Sequence, residues 1–168
     1  MNKKAFSLVE LMISITVLSV MLAIAVPYLT KYVKKYGIEK ETGQIFSDLV
    51  AQRFKSITTG ENYGVVFNAN SYILFRFNDS NYNMKYDGSS EMTDSIVKNV
   101  KYKILKKIGS SYTAASNDVV IFDKNGVTRN KNWGFGGFTI KIDSSDIASI
   151  RYNCVIISAQ RIKEGVCQ

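Results

Sequence analysis

From Phe6 to Leu29 the chain is apolar or small at almost every position, and Glu10 is its one charge. Hydrophobicity on all sides suits a helix surrounded by lipid or by other apolar helices. The 24 residues of this stretch span about 36 Å at 1.5 Å per residue, enough to cross a hydrocarbon core with some tilt. Beyond it the pattern becomes one-sided. Ile38, Ile45, Phe46, Leu49, Val50, Phe54 and Ile57 recur at helical spacing as an apolar face, and Glu39, Lys40, Glu41, Gln44, Asp48, Gln52 and Lys55 form the polar one. Gly60 is a stop signal. The pattern predicts one helix from Phe6 to about Thr59, roughly 80 Å long, with a bend at Pro27 and weak points at Gly37 and Gly43.

After Gly60 the period changes to two. Tyr63 to Phe67 and Tyr72 to Phe77 read as a strand pair around a turn at Asn68, Ala69, Asn70 and Ser71. A polar stretch from Asn78 to Glu91 follows, then an alternating segment from Val97 to Leu105 and the run Asp118 to Phe122. A turn at Asp123 to Gly126 and strands near Phe138 to Ile142 and Ile150 to Ser158 complete the pattern. Helix first and strands afterwards predict an α+β fold, an antiparallel sheet packed on the carboxyl half of the long helix. The expected divisions are a leader at 1–5, a membrane or filament-core helix at 6–29, its amphipathic continuation at 30–59 and a β-rich head at 60–168.

Glu10 changes the meaning of the apolar helix. A charge at mid-bilayer depth costs about 2.5–3.5 kcal/mol on insertion scales, so this acid calls for a partner in a later, assembled state. Lys3 and Lys4 before the segment orient the amino terminus to the cytoplasm, with Lys31, Lys34 and Lys35 weakening the bias. Val26, Pro27 and Tyr28 after the apolar region offer no small-residue cleavage site of the secretory kind. The run K-K-A-F-S-L-V-E-L resembles the processing site of type IV prepilins and type II secretion pseudopilins. The resemblance implies cleavage by the prepilin peptidase between Ala5 and Phe6, methylation of the new terminus, and pairing of Glu10 with a neighbouring subunit's amino terminus. It also places Pro27 where the family often bends its helix. Ala5 departs from the family's usual Gly. Implied with it are a single pass through the inner membrane, a head outside the cytoplasm and a final place in a periplasmic pseudopilus or cell-surface pilus among other such subunits. A signal anchor carrying an unassembled periplasmic binding protein is the rival reading.

Three later features resemble minor subunits, the H-type of type II secretion and the FimT-type of type IV pili: the loop F-N-D-S-N-Y-N-M-K-Y-D-G-S-S-E, the turn V-I-F-D-K-N-G-V-T and the closing strand C-V-I-I-S-A-Q-R-I-K. Where that family carries Gly-Arg-x-Arg, this chain has Gln160, Arg161, Ile162 and Lys163. Arg161 and Lys163 thus match the DNA-contacting positions of FimT-type pilins, which implies DNA uptake as an alternative role.

Charge and composition narrow the chemistry. The net charge is +8, of which Lys3 and Lys4 contribute two, leaving a basic chain that suits either a solvated surface or an anionic partner. Lys98, Lys101, Lys103, Lys106 and Lys107 are the densest basic run, and in a strand Lys101 and Lys103 share one face as a second candidate DNA contact. No histidine is present, no serine has a base nearby in a recognisable motif, and no phosphate loop is visible, so an enzyme is not expected. Cys154 and Cys167, in an extracytoplasmic segment, are expected to form a disulfide, worth about 3 kcal/mol for so short a loop. Two thiols without histidine make a poor zinc site. Asp79, Asn81, Asn83 and Asp87 alternate oxygen donors as calcium loops do, but Met84 stands where glycine is wanted and Ser90 where a bidentate acid is, so a turn cluster is the competing reading. Trp133, Phe135 and Phe138, set among Gly134, Gly136 and Gly137, are either core or a stacking surface.

Overall fold

The apolar run and the one-sided run after it form a single helix in a computed structural model that describes residues 7–145, 147 and 149–167. This helix, α1, covers Leu8–Thr59 and continues through Pro27, whose missing N–H leaves the Ala23 carbonyl without its helical donor. It ends at Gly60, which adopts a left-handed φ of 71° and donates its N–H to the Ser56 carbonyl at 3.1 Å, the glycine stop expected from the sequence. The chain divides into two units, Met1–Tyr36 and Gly37–Gln168. In the first, every large apolar side chain from Leu8 to Tyr36 is exposed.

The second unit contains the rest of α1 and the strands: β1 (Asn62–Asn68), β2 (Ser71–Phe77), β3 (Met92–Asn99), β4 (Ile104–Ile108), β5 (Ser111–Ala114), β6 (Asp118–Phe122), β7 (Thr128–Arg129), β8 (Phe138–Ile142), β9 (Cys154–Ile157) and β10 (Ile162–Gly165). Among the described residues they build two five-stranded antiparallel sheets, β3-β2-β1-β6-β7 and β10-β9-β8-β4-β5, where the sequence suggested one. The division falls inside the alternating segment Val97 to Leu105. β3 stops at Asn99, and residues 100–103 cross to the second sheet. The N–H groups of Val100 and Ile104 are taken by the carbonyls of Asn70 and Ala69 at the tip of the β1–β2 hairpin, 3.0 and 2.7 Å away. Residues 150–153 are likewise irregular, and β5, β7 and β10 are strands the periodicity missed.

Both sheets close on the helix. Ile38, Thr42, Ile45, Leu49, Gln52 and Ser56, spaced by four and three, form its buried stripe. They meet Val65, Phe67, Tyr72, Leu74, Val120 and Phe122 of the first sheet and Ile104, Ile140, Ile142, Val155 and Ile157 of the second. The expected apolar face is therefore rotated: Val50, Phe54 and Ile57 are exposed, Phe46 is half-buried, and Gln52 is inside. Thr42 and Ser56 fit because each hydroxyl donates to a helix carbonyl, Ile38 O at 2.9 Å and Arg53 O at 2.7 Å.

Flanking polar residues fasten the two sides. The Tyr72 hydroxyl donates to Asp48 Oδ2 at 2.6 Å, and Lys98 Nζ lies 2.8 and 2.7 Å from the two Asp48 oxygens. Glu41 accepts from the Lys101 and Tyr102 amides, and Glu39 from the Arg151 amide. Burial, and then the hydrogen bond to Asp48, push the Tyr72 hydroxyl well above its ordinary value. Neutral Tyr72 is thus favoured in the folded state, and its contribution is complete below about pH 10 and lost as the pH rises above it. Asp48→Ala, which orphans both partners, is expected to lower the unfolding free energy by about 2–4 kcal/mol. Tyr72→Phe, which keeps the Lys98 pair, should lower it by about 1 kcal/mol. Denaturant titration of the full chain in detergent measures both, and equal losses would contradict the arrangement.

Candidate functional site

Ala5 and Phe6 lie outside the described residues. Glu10 stands in the first turn of α1, exposed, with no side-chain partner among the described residues. Around it runs a helix whose most apolar 18-residue window has a mean hydropathy of 2.4 and no buried residue, long and apolar enough to cross a membrane. Pro27 sits inside that helix, and the Thr30 hydroxyl donates to its carbonyl at 2.9 Å.

The acid-and-amide loop turns its oxygens on itself. Asp79 accepts from the amides of Asn83 and Met84 at 3.1 and 2.8 Å, and Asn81 and Asn83 side chains accept from the amides of Asn83 and Lys85. The Asn81 and Asn83 carboxamides both donate to Asp87 Oδ2, at 2.9 and 2.6 Å. These two bonds hold the Asp87 carboxyl below its ordinary range. Glu91, almost fully buried, accepts the Asp87 amide at 2.7 Å. Among the described residues no group of three or more Asp, Glu, Cys or His side chains is arranged to hold a metal. The loop also has a packing role. Tyr86 and Met92, with Trp133, cover a second apolar cluster of Val66, Phe75, Phe77, Val119 and Ile121 on the far face of the first sheet.

That arrangement divides the aromatic loop. Trp133 packs on Phe77 with ring centroids 5.6 Å apart, and Phe138 meets Phe67 edge-on at 6.1 Å. Phe135 alone is presented outward, 74% exposed, with the Arg129 guanidinium 4.9 Å from its ring centre. The glycines are structural: a Cβ on Gly136 would lie 2.6 Å from the Arg129 carbonyl carbon.

The basic run does not form one patch. Lys98 is paired with Asp48, Lys106 with Asp118, and Lys101 sits in the crossing segment beside the Tyr102 ring. Lys101 and Lys103 therefore share no strand face. The closing strand does not continue either. It turns at residues 158–161, where Ser158 donates to the Arg161 carbonyl at 2.8 Å, so Arg161 lies in a turn and Lys163 in edge strand β10. The second sheet nonetheless brings separate lysines together. Its inner face carries the buried Ile104, Ile140, Ile142, Val155 and Ile157, so alternation places Lys107 of β4, Lys141 of β8 and Lys163 of β10 on the outer face. Leu105 pairs with Lys141, and Lys163 pairs with Ile156, itself opposite Thr139. None of these lysines, nor Arg161, makes an ion pair among the described residues. Lys141 was missed because its strand F-T-I-K-I carries one isolated charge, and register alone puts it on the face that also carries Lys107 and Lys163. Cys154 and Cys167 are joined as expected. Asn153 secures the same tail, donating to the Cys167 carbonyl at 2.9 Å and accepting its amide at 2.7 Å.

Residues 1–26 match the family model described as the prokaryotic N-terminal methylation motif. No curated protein and no solved structure matches the chain. A methylation motif leading into an apolar helix that bears one acid, with that helix continuing into an antiparallel β head, makes this chain similar to a type IV pilin or pseudopilin precursor.

Proposed function

We propose that the chain is a minor pilin or pseudopilin subunit, cut by the prepilin peptidase between Ala5 and Phe6 and assembled into a type IV pilus or a type II secretion pseudopilus. Before assembly it resides in the inner membrane by α1, head outside the cytoplasm. The observation that carries this reading is Glu10, a carboxylate without a partner among the described residues, in the first turn of a helix whose apolar part is wholly exposed and next to a processing motif. In lipid that carboxylate is a cost. Beside another subunit's amino terminus it becomes half of an ion pair. The role is structural, and the partners are other subunits of the same kind.

Two measurements test it. Mass analysis of the protein from membranes of a host with the peptidase is expected to find an amino terminus at Phe6, methylated. An intact Met1 would leave only a membrane-anchored binding protein. Glu10→Ala is expected to insert in the membrane as well as the wild type and to fall at least tenfold in sheared filament fractions. Equal recovery would remove the assembly role.

The outer face of the second sheet favours a second reading, a FimT-like subunit that binds DNA for uptake. Lys107, Lys141, Lys163 and Arg161 are available to phosphates because no carboxylate among the described residues pairs with them. Binding of duplex DNA by the full chain in detergent should be independent of sequence and weaken steeply with salt. Lys107→Gln or Lys163→Gln should each reduce the slope of log affinity against log salt by about 1, and Lys101→Gln should leave it unchanged. No salt-sensitive binding at low ionic strength would eliminate this role.

A further inference from the structure

The loop of residues 130–137 runs from β7 in the first sheet to β8 in the second, and with Lys106, Ser116, Asn117 and Asp118 it lines a crevice of about 400 Å³. That is within the usual size of a small-molecule cleft, about 300–1,000 Å³. The lining is fixed in place. Asn130 Oδ1 accepts the Asn132 and Gly134 amides at 2.9 and 3.1 Å, and Trp133, packed on Phe77, takes a left-handed φ of 62°, unfavourable for a bulky side chain. Asn117 is left-handed as well, at 51°, and donates its amide to Asn68 Oδ1 at 3.2 Å. Backbone held in a sparsely populated conformation by its surroundings points to function.

Phe135 lines the same crevice and is 74% exposed. The Arg129 guanidinium lies 4.9 Å from its ring centre and is itself tied to Asp123 at 2.9 Å, so the ring is presented in a set position. Around it the polar groups are mostly neutral. Lys106 and Asp118 pair with each other, which leaves Lys131 as the lining cation without an ion pair among the described residues. The Asn117 and Asn132 carboxamides and the Ser116 hydroxyl have no hydrogen-bond partner there either.

We infer that this crevice binds a neutral saccharide. A sugar ring has an apolar C–H face that stacks on an aromatic ring, here Phe135, and rim hydroxyls that both donate and accept, as the Asn117 and Asn132 carboxamides do. A nucleic acid strand stacked on Phe135 would need a track of cations for its phosphates, and a single lysine does not supply one. An apolar ligand would leave the two carboxamides and the hydroxyl without partners. The site is separate from the outer face of the second sheet, and its ligand does not depend on assembly of the chain.

Trp133, the one tryptophan of the chain, reports on the loop by its fluorescence. The full chain, in a detergent whose headgroup is not a sugar, is titrated with maltotetraose, cellotetraose and chitotetraose. At least one is expected to change the fluorescence saturably, with an affinity that salt leaves unchanged. Phe135→Ala is expected to weaken that binding about tenfold at an unchanged unfolding midpoint, and Phe135→Tyr, which keeps the ring, to retain it. Asn117→Gly, which keeps the left-handed backbone accessible and removes the carboxamide, is expected to weaken it as well. The inference is overturned if none of the three sugars binds, or if binding survives in both Phe135→Ala and Asn117→Gly. Salt-sensitive binding of a single-stranded oligonucleotide that Phe135→Ala abolishes overturns it too, because the crevice then serves a nucleic acid.

Discussion

The carboxyl part of α1 has to hold two sheets with a stripe that contains only three large apolar side chains, Ile38, Ile45 and Leu49. So narrow a stripe fills the centre of the core and leaves its flanks to polar contacts. On one flank Glu41 and Asp48 reach the first sheet and the crossing segment. On the other, Glu39 accepts the Arg151 amide, and Arg53 Nη1 donates to the Gln160 carbonyl at 2.8 Å. The irregular stretches at 100–103 and 150–153 depend on this. The amides of Lys101, Tyr102 and Arg151 have left the ladders and need other acceptors, which the helix supplies as the carboxylates of Glu41 and Glu39. The helix is therefore both the apolar spine of the head and the cap for segments that leave the ladders, one crossing between sheets at 100–103 and one leading into β9 at 150–153.

That dual use explains what could be read from the sequence. The stop at Gly60, the β1–β2 hairpin and the turn at Asp123 were legible because each is local. In the last of these, Asp123 Oδ1 accepts the Asn125 and Val127 amides within four residues. The buried side of α1 was not legible. Counting apolar residues gave weight to Val50, Phe54 and Ile57, whereas packing selected the line through Thr42, Gln52 and Ser56, where small hydroxyls bonded back to the helix behave as small apolar groups. The two-sheet division was hidden for a similar reason. V-K-Y-K alternates like a strand, and only the distant carbonyls of Ala69 and Asn70 show why it bends instead.

The distribution of charge follows from the same packing. The acids of the head are largely turned inward, onto backbone amides at Glu39, Glu41, Asp79 and Glu91 and onto cations at Asp48, Asp118 and Asp123. Oxygen donors spaced like a calcium loop are, in this fold, also the groups that satisfy a tight turn, and the sequence contains both readings because the same side-chain chemistry serves each. With the acids committed, the lysines that remain set the character of the surface, and their position is decided by sheet register rather than by clustering along the chain.

The two sheets end with different exposed chemistry. The first is apolar on both faces, since Val65 and Phe67 look to the helix while Val66, Phe75 and Ile121 lie under Tyr86, Met92 and Trp133. Covering both faces leaves it only its edges open, and at β3 that edge is interrupted by a bulge at Asp94, whose carboxylate is exposed. The inner face of the second sheet packs on the helix, and its other face carries the lysines that make no ion pair among the described residues. The free face of the second sheet and the two covered faces of the first are therefore separate surfaces, because Lys107 and Lys163 belong to β4 and β10, neither of which is hydrogen-bonded into the first sheet.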